Sequence, residues 1–294
     1  MTMAVAAAEM TLDPVASTKR EGLDWRLIAP LGLAYLIFFV SPLILLVWIS
    51  MHNDIDMTQV GLEQWARFAG DDFYRGVLIG TLRLGVLTVL ATTVLAYPLA
   101  LVFMAATPRL QRFILFIILL PLLTSVVVRT FAWIVILARE GVINQTLLSL
   151  GFITTPVSLL QTEFGLVLAL TQIEMPLMLL PLLTVLRGLN PSLIEASRSL
   201  GASRWRTFFR VIAPLSAPGW IAGATLVFAS STTAFVSHSV IGGARLVYLP
   251  ALIWQQAMVL YNWPFAAVAA VALLLTVTAG ILVLGALARA LKTR

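Results

Sequence analysis

The chain has 294 residues, 60% hydrophobic and 11% charged, with mean hydropathy +0.99 and formal net charge +6. That composition excludes an ordinary soluble domain and reads as an integral membrane protein, while the absence of cysteine excludes disulfides, thiolate chemistry and a Cys-based metal site. In such a chain the positive balance reports which loops face the cytoplasm, so no nucleic-acid partner is expected.

Residues 1 to 26 mix Glu9, Asp13, Lys19, Arg20, Glu21, Asp24 and Arg26 with an alanine run and lack an unbroken apolar stretch after a basic start. They read as a cytoplasmic N-terminal tail rather than a cleaved signal peptide. Six apolar segments follow, at 27 to 50, 77 to 104, 113 to 138, 164 to 186, 217 to 240 and 263 to 288. Each is long enough to cross about 30 Å of hydrocarbon as a helix, and none shows the alternation of a barrel strand. The expected fold is therefore all-α, with six transmembrane helices in a domain spanning 27 to 294.

The segments between the spans have their own character. Residues 51 to 76 combine Asp54, Asp56, Glu63, Asp71 and Asp72 with Trp65, Phe68 and Phe73, which suggests a short interfacial helix. Residues 139 to 163 suggest another, ended by Gly151 and kept from continuing by Pro156. Either helix lies at the membrane interface or presents a docking surface to an extracytoplasmic partner. Placing the termini, the 105 to 112 turn and the 187 to 216 loop on one side collects Arg109, Arg112, Arg187, Arg198, Arg204, Arg206, Arg210 and the basic residues of both tails. The other side keeps only Arg67, Arg75, Arg139 and Arg245. The positive-inside rule makes the first side, with both termini, cytoplasmic.

Three ionisable residues fall within spans. Arg83 lies roughly 9 Å deep, within snorkelling reach of the interface; Arg129 and Glu174 each lie roughly 14 Å deep at 1.5 Å per residue. A charge at that depth costs several kcal/mol unless paired or hydrated, so either an Arg129–Glu174 ion pair or a shared aqueous cavity is expected. The pair fastens spans three and four, or the two groups line a solute path; Pro176 favours the path by freeing a backbone carbonyl. His238, near the end of span five, is a weaker member of the same candidate set. One intramembrane acid against two arginines suits a zwitterionic or anionic solute, such as an opine or amino-acid derivative, better than a polycation.

Residues 190 to 215, NPSLIEASRSLGASRWRTFFRVIAPL, break the apolar pattern. Asn190 suits an N-cap, Pro191 the first helical position, and Gly201 a left-handed helix end. A second helix from Ser203 sets Trp205, Phe208, Phe209 and Ile212 on one face and Arg204, Arg206 and Arg210 opposite, with Pro214 and Pro218 leading into span five. On physical grounds alone, a hairpin resting on anionic headgroups and a hairpin gripped by a partner protein both fit.

The spacing Glu195-Ala196-Ser197, then Gly201, then Ile212 and Pro214, resembles the EAA loop of permease subunits of binding-protein-dependent ABC importers. Ser197 stands where the pattern has a second alanine, and Ala213 where it has leucine. AYPLALVFM, LPLLTSVVVRTFAW, MLLPLL, IGGARL and NWPFAAVAAV extend the resemblance to the spermidine/putrescine-type branch, which also imports opines and amino-acid-like solutes. The resemblance implies a type I importer permease fold with its coupling loop at about 188 to 216. It also implies a second homologous permease, two ATP-binding subunits and a periplasmic solute-binding protein in a bacterial inner membrane. Glu195, Ala196, Ser197, Arg198, Leu200, Gly201, Trp205, Ile212 and Pro214 would then couple to the ATP-binding subunit.

The chain offers no G-x-x-x-x-G-K-[ST], and neither lysine follows a glycine, so ATP and Mg²⁺ are expected on the partner and no cofactor on this chain. The alternative is a stand-alone proton-coupled transporter with Glu174 as relay. An intramembrane enzyme fits poorly, because His52 and His238 lie in distant segments without H-E-x-x-H.

Overall fold

The computed structural model describes residues 25–292, with side chains over 29–286. The tail expected over 1 to 26 lies outside them but for Trp25 and Arg26. Residues up to Leu45 form a unit of their own. α1 (Trp25–Ile49), which begins in it and ends in the second unit, is one apolar helix that keeps going through Pro30 and Pro42.

The second unit continues with a turn organised by Asp54, whose carboxylate accepts from the Thr58 amide at 2.9 Å, the Thr58 hydroxyl at 2.7 Å and the Gln59 amide at 2.7 Å. These bonds hold its pKa down, to about 2 from 3.8. A carboxyl depressed on folding contributes its hold above the unfolded value and loses it as pH falls through the folded one. Normalised amide protection of Thr58 and Gln59 is therefore expected to be flat down to about pH 4 and to collapse towards pH 2. In Asp54→Ala it should be missing throughout.

The helix expected in 51 to 76 is α2 (Glu63–Gly70), and it is docked rather than free: Phe68 is buried beside Tyr74 and Phe265. The Arg67 guanidinium caps the cluster 5.2 Å from the Phe265 ring centre. α3 (Asp72–Ala105) begins at Asp71, whose side chain accepts from the Phe73 amide, and runs through Pro98. Thr81, Thr88 and Thr92 are buried along it, each hydroxyl donating to the carbonyl four residues back, so none of these three hydroxyls is left bare in the packed interior.

Span three is not one helix. α4 (Pro108–Leu119) tightens into a 3₁₀ turn at Leu120–Leu123 and breaks at Thr124 and Ser125, and the segment Val126–Ser149, opened by α5 (Val126–Leu137), leaves at 106°. Pro121 lacks the N–H that would bond the Ile117 carbonyl, which removes one α-helical bond where the 3₁₀ turn begins. α6 (Val142–Ser149) is the second expected loop helix, closed by Gly151 at φ +74°. Asn144, fully buried, pins it by donating to the Ala138 and Val157 carbonyls and accepting from the Val157 amide.

α7 (Glu163–Arg187) is capped by the Thr162 hydroxyl and forms the centre of the packing. The loop helix α8 (Pro191–Ser199) follows, then α9 (Arg204–Thr207), which continues through a π turn at Phe208–Ile212 into α10 (Ala213–Thr233). Pro214 cannot donate to the carbonyl at Arg210, which opens the ladder where the π turn sits. Span five thus starts ten residues or more before the expected 217 and stops at Thr233, short of 240.

A segment the sequence reading did not resolve comes next. α11 (Phe235–Ser237) opens an arm ending at Arg245, and α12 (Leu249–Trp254) opens a second arm ending at Val259, bent 88° from the first. Eleven residues per arm reach only about 16 Å as helix, so neither arm alone crosses a bilayer. The long apolar helix α13 (Trp263–Lys292) follows. Among the described residues five helices are continuous and apolar enough to span, or seven with both bent pairs.

The core lies where α3, α7, α10 and α13 meet. Phe228 of α10 fills the space over Gly85 of α3 and Gly280 of α13, where an added Cβ would stand 2.9 Å and 2.5 Å from its ring. Gly219 and Gly223 bring α10 against the α7 backbone.

Candidate functional site

Two places bring functional side chains together. The first is a cavity of about 410 Å³ among α5, α7, the end of α10 and the start of α11. Its polar lining comprises Thr124, Arg129, Glu174, Ser230 and Ser237, on a wall of Ile173, Leu177 and Phe235. Glu174 is buried on α7, and its Oε1 accepts from the Ser230 hydroxyl at 2.9 Å. Two residues on, Pro176 leaves the Gln172 carbonyl without its helical partner.

Arg129 is half-buried, with Nη2 donating to the Thr124 carbonyl at 3.0 Å across the break that precedes its own helix. No ion pair joins it to Glu174; among the described residues the ion pairs are Arg75–Asp72 and Arg83–Glu163. Of the two arrangements expected for Arg129 and Glu174, the structure shows the shared cavity.

Arg83 and His238 lie elsewhere. Arg83 donates to Glu163 Oε2 at 2.8 Å in a separate cleft with Asp72, Arg245 and Tyr248. His238 is fully buried behind the cavity wall: its Nε2–H donates to the Ser231 carbonyl at 2.9 Å and its ring lies tilted at 45° to Tyr248, centroids 4.9 Å apart. Ser230 and the Thr124 break were missed from sequence. A serine facing a buried carboxylate leaves no spacing signal, whereas Pro121 before a polar Thr124-Ser125 pair was a legible mark.

The second place is the 188 to 216 loop. Asn190 Oδ1 accepts from the Ser192 amide at 3.0 Å, Pro191 takes the first position of α8, and Gly201 sits at φ +77°. The Ser203 hydroxyl accepts from the Arg206 amide at 3.3 Å and starts α9. Ser197, where the EAA pattern has alanine, gains a partner in the Thr207 hydroxyl at 3.1 Å, so the departure ties α8 to α9. The apolar face divides. Phe208 and Ile212 turn inward, Phe208 edge-on to Tyr97 at 5.3 Å, while Trp205 (73% exposed) stacks on Phe209 (62%) on the outside with Leu200 (88%). Glu195, Ala196 and Arg198 are exposed beside them.

The chain is a helical membrane protein with a broken third span, a sharply bent pair of short helical arms after α10 and a two-helix loop between α7 and α10. The fold matches that of a bacterial ABC transporter importing the acidic polysaccharide alginate, with a TM-score of 0.72 at 19% identity over 90% of this chain and 96% of the other. The MetNI methionine ABC transporter gives 0.54 at 20% identity over 73% and 94%.

The family model for the binding-protein-dependent transport system inner membrane component matches residues 31–294, and the chain belongs to that family. It is 34% identical over 224 residues to the spermidine/putrescine transport system permease protein PotB of Escherichia coli K12, covering 76% of this chain and 80% of the relative. A putative 2-aminoethylphosphonate transport system permease protein, PhnU of Salmonella choleraesuis, is 29% identical, covering 80% and 81%. The chain is therefore a permease subunit of a binding-protein-dependent ABC importer, multi-pass in a bacterial inner membrane, and ATP hydrolysis belongs to a separate component.

Proposed function

We propose that this chain forms one half of the path for a small amine-bearing solute handed over by a periplasmic binding protein. The solutes named for PotB and PhnU share a primary amine. The observation that carries the proposal is Glu174, a buried carboxylate that faces a cavity and accepts from one hydroxyl, Ser230. An ammonium satisfies such a group with charge-assisted hydrogen bonds. A second, homologous permease supplies the rest of the path and two ATP-binding subunits dock under the loops. The basic side of the chain, with both termini, faces the cytoplasm. There Glu195, Ala196, Ser197, Arg198, Leu200, Gly201 and Trp205 meet an ATP-binding subunit, and Ile212 and Pro214 root the lever in α10. ATP-driven closure then moves α10 and the helices packed on it as a rigid body.

The test is uptake by the assembled importer in proteoliposomes. Uptake should require internal ATP and external binding protein, and Glu174→Gln should lower it for amine solutes by about tenfold or more, one charge-assisted bond being lost. Uptake by this chain alone, driven by a proton gradient, would refute the proposal in favour of a stand-alone transporter.

A further inference from the structure

Resting on that reading of the cavity, the geometry points to a solute with an anionic group at its other end: we infer that Arg129 and the start of α5 bind an anion while Glu174 and Ser230 bind an ammonium. Arg129 and Glu174 are the charged residues of the cavity, of opposite sign and not paired with each other. An ion pair between them would cancel both charges; left apart across one space, each presents a charge to whatever enters. Arg129 spends one donor on the Thr124 carbonyl, and its buried Nε–H has no partner among the described residues.

The break at Thr124 adds to this end of the cavity. α5 is 12 residues long, Ser125 makes no side-chain cap on it, and Thr124 and Val126 line the space, so free amides at the positive end of a helix lie beside the guanidinium. A second ammonium would meet like charge there and a carboxylate or phosphonate would not. Arg83, held by Glu163 in its own cleft, adds nothing to this end, so anion selectivity depends on Arg129. About 410 Å³ suits a small ω-amino acid or aminophosphonate.

Equilibrium dialysis on the assembled permease–ATPase complex, without binding protein, separates this from the importer assignment. The probes are diamines, ω-amino acids and dicarboxylates, each from two to six carbons. An ω-amino acid should bind best, by about tenfold over the diamine and dicarboxylate of its own length. Arg129→Gln should erase the margin over the diamine, Arg129→Lys should keep most of it, and Glu174→Gln should erase the margin over the dicarboxylate. Equal or tighter binding of diamines, no binding by any probe, or an unchanged margin in Arg129→Gln would each overturn the inference. ATP- and binding-protein-dependent uptake alongside any of these would leave the importer reading standing.

Discussion

Gly223→Leu is expected to abolish the folded permease while leaving its spans inserted. At Gly223 an added Cβ would stand 2.9 Å from the Met178 carbonyl oxygen and 3.0 Å from the Met178 Cα. One turn earlier, at Gly219, it would stand 2.7 Å from the Pro181 carbonyl oxygen. Gly219 and Gly223 are four apart, so they share a face of α10, and besides the Val185 and Met178 side chains what they touch is the backbone of α7, which cannot turn away. Between membrane helices there is little hydrophobic gain to offset a poor fit, and association depends on this close approach. Overpacking costs about 1–3 kcal/mol even where side chains can shift, and here the backbone cannot. Detergent-solubilised Gly223→Leu should elute as aggregate or melt well below the wild type, with insertion into membranes unchanged. Gly76→Leu, at a position with nothing within 4 Å, is the matched control and should elute normally. A monodisperse Gly223→Leu with an unshifted melting temperature would contradict the packing.

The same contact shows which parts of the fold are written plainly in the chain. Apolar length and arginine placement mark the continuous spans, because both respond to the bilayer directly. Asn190, Pro191 and Gly201 mark the loop helices because each residue type answers a local backbone demand, and all three do what their chemistry suggests. The bend in span three is hidden inside a run that is apolar from Phe113 to Ala138, where hydropathy reports burial in lipid and says nothing of direction. Only Pro121 and the polar Thr124-Ser125 pair mark it. The two short arms after α10 each fail the length test for a span, and Gly242-Gly243 and Pro250 break their periodicity.

In the cavity, depth alone brought Arg129 and Glu174 to one level. Whether they pair depends on the 106° bend and on Ser230 reaching Glu174 from α10, which is tertiary geometry with no local signature. His238 follows the same logic: the end of α10 at Thr233 and the turn into α11 carry it behind the wall it was expected to line.

Leu200→Ala with Trp205→Ala, in one chain, is expected to release the ATP-binding subunit while leaving the permease itself intact. Both side chains stand out from the loop beside the exposed Phe209, Leu200 88% and Trp205 73% exposed, with Arg198, Arg204 and Arg206 also exposed on it. They contribute little to the fold, so melting temperature and elution should match the wild type. What an exposed aromatic and aliphatic pair inside a charged rim does supply is the centre of a docking site, where truncation of an anchor costs about 2 kcal/mol or more. Binding should then weaken by about 30-fold or more, read as loss of the ATP-binding subunit on co-purification and loss of solute-stimulated ATP hydrolysis. Arg204→Gln with Arg206→Gln, which strips rim charge and leaves the anchors, should mainly slow association and flatten its salt dependence. If the loop rested on anionic headgroups instead, the ranking would reverse. The arginine pair would then be the damaging change on vesicles containing phosphatidylglycerol, and the Leu200–Trp205 change would leave the subunits together. The Ser197–Thr207 contact and the left-handed Gly201 argue for the first ranking, because a lever that transmits closure must be stiff, whereas a segment lying on lipid need not be.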